Sequence, residues 1–470
     1  MSEAEALAND LDMIPALRIE KENTKFIHDK LIARTSQIER LISRHLGIPA
    51  NDFALYPPSA WIEGGFNICL PIDIKNSHNV RLPSGAVIRF PLPYNAGESF
   101  IPGTLDEKLC CEAATYFTAV ENESLHRRFV WQIRRLWNPH SRSDLTDTGY
   151  LLLEWVEDGK MLSSSWHEKM EDPERRRNLY HGLAKILLRL ANVPLARIGS
   201  WTMDNDGDIS LTNRPIFDLQ ISWNRHAIPT EVSRNTTYTS AASYVHDKLR
   251  FQEQRLIHQP NSILSVNDGT HQLAALVGMR ALLPRFFTTQ SDSGPFVLSL
   301  PDLHRSNIFV DDDWNVTGVI DLEFAPVVPQ EMVTAPAWLT GRGVDELEGE
   351  SLEQFRKRYD EFVRVLEIEE KAVSQNDSSS QRLRRDLDTG MFWYVLALST
   401  INAYPGIFAQ HLMPRFFPQE FQLHIEGASL SRLWGEDVDD FITRKLDDNE
   451  NYKVAIRDIF DKASRYTVEG

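Results

Sequence analysis

Cysteine is scarce in this chain of 470 residues. Cys69, Cys110 and Cys111 make up its whole complement, an odd number. Two of them are adjacent within an apolar stretch that has helical periodicity. An odd and small count argues against a disulfide framework, so we expect three reduced thiols that behave as small buried hydrophobes. No combination of Cys and His has the spacing of a zinc site.

Positive charge is also in deficit. The chain has 50 Lys and Arg against 67 Asp and Glu, which gives a formal net charge of −17 and a pI of about 5.3. Proteins that bind nucleic acid through phosphate contacts carry the opposite balance, so we expect no nucleic-acid partner. The balance is compatible with cationic substrates, but acidic proteins are common, and it decides little about function.

Long hydrophobic runs are absent. The most apolar helical segment, MFWYVLALSTINAY (391–404), is too short and too polar to cross a bilayer, and we expect a buried helix there. The first residues, MSEAEALANDLD, are acidic and lack a basic region followed by an apolar core. We therefore expect a cytoplasmic protein with no membrane partner. The sequence carries no signal for an oligomeric state.

The hydrophobic period changes along the chain. A helix is predicted over 22–47, and strand-like stretches follow at SAWI (59–62), FNICLPIDI (66–74) and GAVIRFPLP (85–93). A helix over 107–120 and a buried strand, YLLLEWV (150–156), come next. Later helices are predicted at 177–191, 240–257, 270–287, 351–373, 381–404 and 436–463, with a polar loop at 374–381.

This order predicts an α+β fold with two lobes. We expect an N-terminal extension with a helix (1–57), a small antiparallel β-rich lobe that ends in a hinge strand (58–156), and a large, mainly helical lobe (157–470). A cleft between two lobes is a common place for a nucleotide.

Two aspartates and an asparagine are the most informative residues of the helical part. Asp302 lies in LPDLHRSNIFV (300–310), Asn307 follows it, and Asp321 lies in VTGVIDLEFAP (316–326). A phosphoryl-transfer site needs one carboxylate to orient a nucleophile, and an amide oxygen with a second carboxylate to hold magnesium against phosphates. The three residue types match that need.

The residues between Asn307 and Asp321 predict a hairpin. Residues 308–310 and 316–320 are two short β-prone runs, joined by the turn-forming residues 311–315. Arms of similar length would return Asn307 and Asp321 to the same edge, next to Asp302. The simpler alternative is an ordinary hairpin with acidic residues at its mouth.

The β-rich lobe carries a second set of candidates. Gly64 and Gly65 lie between two strand-like runs, where backbone N–H groups can approach phosphate oxygens closely. No Gly-Lys-Ser/Thr follows, so this is not a Walker loop. A plain hairpin turn is the alternative interpretation.

Arg89 stands in the middle of an otherwise apolar strand. A charge buried there needs a partner, and Glu112 in the following helix is a natural one. Such a pair could hold the phosphates of a nucleotide, whereas an Arg89 turned toward solvent would need no partner. Glu154 and Val156 end the hinge strand, and backbone groups at this position could bond an adenine edge.

Taken together, these residues resemble the aminoglycoside phosphotransferase family, a branch of the protein-kinase-like fold. The likeness runs from about residue 58 onward and is strongest to a large fungal group of uncharacterised members, in which His-Gly-Asp-Leu-His-x-x-Asn precedes an Ile-Asp-Trp-Glu segment. LPDLHRSNIFV and VIDLEFAP match these two motifs, and RIGSW (197–201) with NRP (213–215) also fits the group.

The resemblance implies a role for each matching position. Asp302 would accept or orient the proton of the substrate hydroxyl, while Asn307 and Asp321 would bind Mg²⁺. Arg89 stands where the family more often has Lys, with Glu112 as its helix partner. His304 matches the second loop histidine. The sequence departs from the family pattern at Leu300-Pro301, which replaces His-Gly, and at Leu322, which replaces Trp.

The expected function is transfer of the γ-phosphoryl group of ATP or GTP, with Mg²⁺, to a hydroxyl of a small molecule. One alternative is a weak or inactive pseudokinase that binds nucleotide or acts as a scaffold. A protein kinase is a further rival, but His-Arg-Asp and Asp-Phe-Gly are both missing.

Three other patterns receive structural interpretations. DNDGDI (204–209) has Gly in the wrong register for an EF-hand and predicts a hairpin turn. ERRR (174–177) is expected to be a solvated helix face. The acidic residues at 345–353 could line a pocket for a cationic substrate, but a solvated helix start is the simpler expectation.

Overall fold

The computed structural model describes residues 2–75, 82–121, 149–216, 225–373, 378–400, 402–418, 430–435 and 437–468. Within these ranges a small antiparallel sheet precedes a large set of helices. The expected two-lobed α+β class, with a β-rich N-lobe and a mainly helical C-lobe, is confirmed.

The N-lobe contains a five-stranded antiparallel sheet. Its strands are β1 (Phe53–Leu55), β2 (Ile62–Glu63), β3 (Asn67–Ile74), β4 (Gly85–Pro91) and β5 (Leu151–Glu154). The order is β1-β3-β4-β5, and β2 also pairs with β3. The sheet therefore begins inside the segment predicted as an extension, since β1 pairs with the end of β3. The lobe boundaries at 57 and 156 stay a prediction.

Alternating apolar side chains fix one face of this sheet. Ile68 and Leu70 of β3 and Ile88 of β4 are buried in one cluster with Ile38 and Ile42. The last two belong to α3 (Thr35–Leu46), whose apolar side faces the sheet. The helix α4 (Thr104–Glu121) follows β4 and packs Leu109 and Ala113 against β5. Both helices thus hold β4, which carries Arg89, in a fixed place.

The helix predicted over 22–47 is interrupted in the structure, so this prediction is wrong. Helix α2 (Met13–Phe26) begins earlier, and a π turn (Ile27–Leu31) and a 3₁₀ turn (Ile32–Arg34) separate it from α3. The short helix α1 (Glu3–Leu7) precedes it. Tertiary contacts account for the early start, because the backbone N–H of Met13 donates to the Tyr452 hydroxyl of the C-terminal helix.

The C-lobe is built from helices around one apolar core. Most predicted helices are confirmed with shifts of a few residues at their ends. The described helices are α5 (Trp166–Lys169), α6 (Pro173–Ala191), α7 (Ala241–His258), α8 (Val266–Phe286), α9 (Gly349–Val373), α10 (Ser378–Thr389), α11 (Met391–Ser399), α12 (Tyr404–Ile407), α13 (Met413–Phe416) and α14 (Val438–Val468).

Two predicted segments of the C-lobe need correction. The helix over 381–404 is interrupted at Gly390, whose φ of 88° lies in the left-handed region and ends α10. The polar loop over 374–381 is wrong from Ser378 onward, where α10 begins, and residues 374–377 lie outside the described part. In the N-lobe, SAWI forms a 3₁₀ turn (Pro58–Ala60) before β2 instead of a strand.

Short strand pairs lie among the C-lobe helices. The predicted hairpin after Asn307 is confirmed as β10 (Ile308–Val310) and β11 (Val316–Val319), with Ile308 opposite Val319. β6 (Lys160–Met161) follows the hinge and pairs with the other edge of β10. The remaining pairs are β7 (Ser200–Met203) with β8 (Ile209–Asn213), and β9 (Phe296–Leu298) with β12 (Val327–Pro329).

The three structural interpretations of other patterns fare differently. DNDGDI is the turn between β7 and β8, where the Asp204 carboxylate accepts from two backbone N–H groups. The acidic residues near 345–353 are exposed, and Glu346 caps a 3₁₀ turn. The solvated face expected for ERRR is wrong at Arg176, which is buried and pairs with Glu361 at 3.0 Å.

The cysteines and the apolar segment behave largely as expected. No disulfide joins the three thiols. Cys111 is buried, while Cys69 and Cys110 are half-buried. Helix α11 is buried in the core. Within the described residues, no helix has the length and apolar character needed to cross a membrane.

The hairpin of β10 and β11 rests closely on α6. A Cβ atom added to Gly182 of α6 would come within 2.4 Å of the Val316 side chain of β11. We therefore expect Gly182→Ala to destabilise the fold by roughly 1–3 kcal/mol through overpacking. Thermal or urea unfolding measures this loss. Gly406→Ala is the control, because nothing lies within 4 Å of that Cβ position, and an unchanged midpoint in Gly182→Ala would contradict the close packing.

Candidate active site

Asp302 and Asn307 are joined within one tight loop. The Asn307 side-chain N–H group donates to the Asp302 carboxylate at 2.9 Å and to its backbone carbonyl at 3.0 Å. The backbone N–H of Asn307 donates to the carbonyl of His304 at 2.8 Å. Because its amide nitrogen is engaged by Asp302, Asn307 has its amide oxygen left for another ligand.

Asp321 follows the second strand of the hairpin. The backbone N–H of Ile320 donates to the carbonyl of Asn307 at 2.9 Å, so the expected return to one edge is confirmed. Asp321 has a φ of 64°, a left-handed conformation that is uncommon outside glycine and often marks a functional position. Asp302 and Asp321 both line one small cavity, together with Leu300, Leu303 and Phe324.

Arg89 is the centre of an ion-pair network that links the lobes. The side chain is buried, and its guanidinium contacts the Glu112 carboxylate of α4. Its Nη1 atom lies 3.1 Å from Oδ1 of Asp321. The predicted pair of Arg89 with Glu112 is therefore present, and the alternative of a solvent-facing arginine is wrong. The direct contact with Asp321 was not expected from the sequence.

Three further residues of this network were missed by the sequence analysis. Glu323 is buried two residues after Asp321, and its carboxylate contacts the ammonium of Lys108. Asn67 bridges the two, because it accepts from Lys108 at 2.8 Å and donates to Glu323 at 2.8 Å. Lys108 and Glu112 stand four residues apart on α4, on the same helix face. From the sequence, that spacing could have indicated that Lys108 lies beside Glu112.

The network contains more carboxylates than cations, and their pKa values respond. Burial raises the pKa of Glu112 to about 7, although Arg89 and Lys108 oppose this. Burial likewise raises the pKa of Asp321, against the opposing effect of Arg89. Burial also acts on Glu323, but the adjacent Lys108 and Arg89 outweigh it and lower the pKa of that carboxyl.

The loop with Asp302 is braced by a residue that the sequence motif does not contain. The indole N–H of Trp338 donates to the carbonyl of Leu303 at 2.9 Å. The backbone N–H of Ser163 donates to the carbonyl of Arg305 at 3.1 Å. These two bonds fix the loop from outside, in a chain where Leu300-Pro301 replaces the histidine and glycine of the family motif.

The histidine of this loop lies at its edge. The His304 ring is exposed, packs edge-on against Trp338, and lies 3.4 Å from the Ser306 hydroxyl. Partial burial, with Arg305 nearby, lowers the pKa of His304, which favours the neutral ring near pH 7.

The glycine turn is a β-hairpin between β2 and β3. The Gly64 N–H donates to the Asn67 carbonyl at 2.8 Å, and the Gly65 carbonyl accepts from Asn95 at 2.6 Å. Both glycines are exposed, and a Cβ on Gly65 would meet nothing within 4 Å. The turn is therefore open toward solvent, and its role in holding phosphates stays a prediction.

The hinge residues continue the sheet into the C-lobe. Glu154 is paired with Ala86 in the ladder of β5 with β4, and the next residue donates its N–H to Gly85. Val156 lies against β11, near Gly318. Contact of these residues with an adenine edge stays a prediction.

The donor set suits magnesium bound together with a phosphate ligand. Mg²⁺ prefers hard oxygen ligands, and it is often held by one or two carboxylates with the remaining positions taken by phosphates and water. Asn307 and Asp321 supply an amide oxygen and a carboxylate. Among the residues that the structure describes, no group of three or more His, Cys, Asp and Glu side chains could hold a metal by itself. The residues thus fit a shared site better than a self-sufficient one.

Trp338 provides the first prediction for this site. Trp338→Phe removes the hydrogen bond to Leu303, which is worth about 1 kcal/mol, so amide exchange in residues 300–307 should rise roughly fivefold. Hydrogen–deuterium exchange measures this. Trp434→Phe is the matched control, since its indole N–H donates to Glu253 of α7. An equal rise in both variants would contradict a local brace.

The raised pKa of Glu112 predicts that the stability of the fold depends on pH. A carboxyl whose pKa is about 4.5 when unfolded and about 7 when folded binds its proton more tightly in the folded state. Its contribution to stability is present below pH 4.5 and is lost as the pH rises through 7. Glu112→Gln should therefore flatten the decline of the unfolding midpoint between pH 5 and 7.5. The exposed Glu353→Gln is the control, and a slope in Glu112→Gln equal to that of the wild type would refute the assignment.

Comparisons with known proteins bear on this geometry. Residues 130–329 match the model of the phosphotransferase enzyme family (APH), and this segment includes Asp302, Asn307 and Asp321. Arg89 and Glu112 precede it. No curated protein matches the chain. The expected fungal grouping stays a prediction.

Two solved structures are distantly similar to this chain. An ethanolamine kinase of Plasmodium vivax is 13% identical, with a TM-score of 0.38 over 85% of this chain and 83% of that chain. A macrolide 2′-phosphotransferase type I is 15% identical, with a TM-score of 0.35 over 78% of this chain and 96% of that chain. The similarity to the phosphotransferase enzyme family that the sequence motifs implied is shown over residues 130–329.

Proposed function

We propose that this protein transfers the γ-phosphoryl group of ATP or GTP, with Mg²⁺, to a hydroxyl of a small molecule. The observation that carries the proposal is the meeting of two acids of different character at one cavity. Asp302 and Asp321 both line it. Asp302 is exposed and bonded to Asn307, whereas Asp321 is half-buried and paired with Arg89.

Each acid then has a separate task. Asp302 is accessible to an incoming hydroxyl and can accept or orient its proton. Asn307 and Asp321 would hold Mg²⁺, which supplies charge neutralisation on the phosphates when bound. Arg89 places a permanent cation beside Asp321 and keeps that carboxylate oriented. Alignment and electrostatics account for most of the rate in such a reaction.

The acceptor is proposed as a small hydroxylated molecule. Asp302 lines a small cavity together with Leu300, Leu303 and Phe324, which supports a small acceptor. The acidic residues near 345–353 line neither this cavity nor the groove between α6 and β11. They give no reason to restrict the acceptor to cationic compounds.

One observation favours a second candidate, a nucleotide-binding protein without turnover. Arg89 engages a carboxylate oxygen of Asp321 that a metal would need. If this pair outcompetes the metal, the site can bind nucleotide weakly and never transfer phosphate. Nucleotide consumption over a pool of small hydroxylated metabolites separates the two candidates, since only the first gives turnover.

Substitution of the two acids tests the assigned roles. Asp302→Asn should retain Mg-nucleotide affinity within about twofold and lose turnover by roughly 100-fold or more, because general-base assistance contributes that much. Asp321→Asn keeps a residue that tolerates the left-handed backbone, and it should lower Mg-nucleotide affinity by at least about tenfold. Calorimetry measures affinity, and coupled nucleotide consumption measures turnover.

Asp313→Asn is the matched control for both variants. It lies in the turn of the same hairpin, at the end away from Asn307, and its side chain is 75% exposed. It should change neither quantity. Wild-type affinity in Asp321→Asn would contradict the metal role, and retained turnover in Asp302→Asn would contradict the catalytic one.

A further inference from the structure

Lys108 is the most deeply buried cation of the described N-lobe. Its relative exposure is 0%, which is rare for lysine unless it is paired. Its ammonium contacts the Glu323 carboxylate and donates to the Asn67 side chain at 2.8 Å. A charge held this way requires both partners, since removing either would leave the other buried and unsatisfied.

The three residues of this cluster come from three different elements. Lys108 lies on α4, Asn67 begins β3, and Glu323 follows Asp321 by two residues. Asn67 also accepts the Gly64 N–H through its backbone carbonyl at 2.8 Å. One lysine therefore links the glycine turn, the helix of Glu112 and the segment that carries Asp321.

Glu323 also competes for Arg89. Its Oε2 atom lies 3.5 Å from Nη2 of Arg89, at the limit of an ion pair, whereas Lys108 makes the closer contact. Arg89 has closer partners in Glu112 and Asp321. Without the Lys108 ammonium, the Glu323 carboxylate would have Arg89 as its nearest cation. The guanidinium would then be drawn away from Asp321.

We propose that Lys108 is a positioning residue for the nucleotide site. By holding Glu323 and Asn67 together, it keeps Arg89 on Glu112 and Asp321 and keeps the glycine turn in register with the metal-binding end of the hairpin. The ligand that benefits is a nucleoside triphosphate with Mg²⁺, so the inference rests on the proposed function. Lys108 itself touches no reacting atom in this account.

A different result is expected if the ion pair of Lys108 with Glu323 only stabilises the fold. Buried pairs can often be replaced by neutral residues of similar size without loss of stability. If Lys108 and Glu323 only stabilise the fold, the neutral pair Lys108→Met with Glu323→Gln should behave like the wild type in every respect. If they position the site, the neutral pair should fold but bind nucleotide less well, because it lacks the ammonium that ties Asn67 and the glycine turn to the segment of Asp321. The carboxylate that could draw Arg89 from Asp321 is also gone in this variant, so the loss reports on the link through Asn67.

The experiment uses the full chain with the double variant Lys108→Met/Glu323→Gln, because Lys108→Met alone would leave Glu323 buried and unpaired. We expect an unfolding midpoint close to that of the wild type. We expect KM and Kd for Mg-ATP to rise roughly tenfold while kcat changes less than threefold, because Asp302 and its loop lie outside the cluster. The single variant Lys108→Arg keeps the positive charge beside Glu323 and should retain most of the wild-type affinity for Mg-ATP.

A second measurement does not depend on nucleotide. Amide exchange at residues 62–67 of the double variant should rise roughly tenfold, with α14 unchanged, because the Gly64 N–H bonds to Asn67. The control is Lys248→Met, a lysine of α7 that is 4% exposed, which should alter neither the glycine turn nor the affinity.

The outcomes are distinct. Wild-type affinity in the double variant overturns the inference, and so does unchanged exchange at the glycine turn. If the wild-type protein binds no Mg-ATP, the proposed function fails by itself, and the exchange at residues 62–67 still decides whether Lys108 positions the turn. Increased exchange together with weakened Mg-ATP binding supports the inference in full.

Discussion

Arg89 holds the two lobes of this protein to one another at the site. Its guanidinium pairs with Glu112 on one side and with Asp321 on the other, so a strand, a helix and the end of the hairpin of β10 and β11 share one buried cation. A buried charge is retained only where its partners surround it. The position of Asp321 relative to the N-lobe therefore depends on this residue. A Lys ammonium lacks the forked geometry needed to reach two carboxylates in this way.

The charge balance around Arg89 explains why a divalent cation suits the site. Two cations, Arg89 and Lys108, face three carboxylates, those of Glu112, Asp321 and Glu323. Burial raises the pKa of Glu112 and Asp321, and the Glu323 carboxylate adds to this, whereas Arg89 and Lys108 oppose it. A metal at Asp321 would reverse the excess, and the phosphates of a nucleotide would then bring negative charge back. The network therefore has one negative charge in excess, which a divalent cation beside Asp321 would more than neutralise.

Much of this architecture could be predicted because local chemistry decided it. The turn residues 311–315 fixed the length of the hairpin, and that length brought Asn307 and Asp321 to one edge. The solitary charge of Arg89 within an apolar strand predicted a partner, and Glu112 is that partner. The long helices of the C-lobe followed from their apolar period.

What could not be predicted depends on contacts between residues far apart in the chain. Trp338 lies 35 residues after Leu303 and donates to its carbonyl. Neither residue lies in a sequence pattern that predicts this hydrogen bond. Lys108 resembles any helical lysine until the fold buries it beside Glu323. The early start of α2 has the same origin, since Tyr452 anchors it from the other end of the chain. In each case a tertiary contact overrides what the local sequence indicates.

The loss of the family histidine is the clearest case in which structure changes the interpretation. From the sequence, Leu300-Pro301 takes the place of a histidine and glycine in the loop of Asp302, which motivates the alternative of an inactive relative. In the structure, the loop is held from outside by Trp338 and Ser163, and internally by Asn307. The rate of the proposed reaction depends on the position of the Asp302 carboxylate. Any set of hydrogen bonds that fixes this loop can therefore replace the bond made by a histidine. The departure at residue 300 is therefore a weak argument against catalysis, and the competition between Arg89 and a metal for Asp321 is the stronger one.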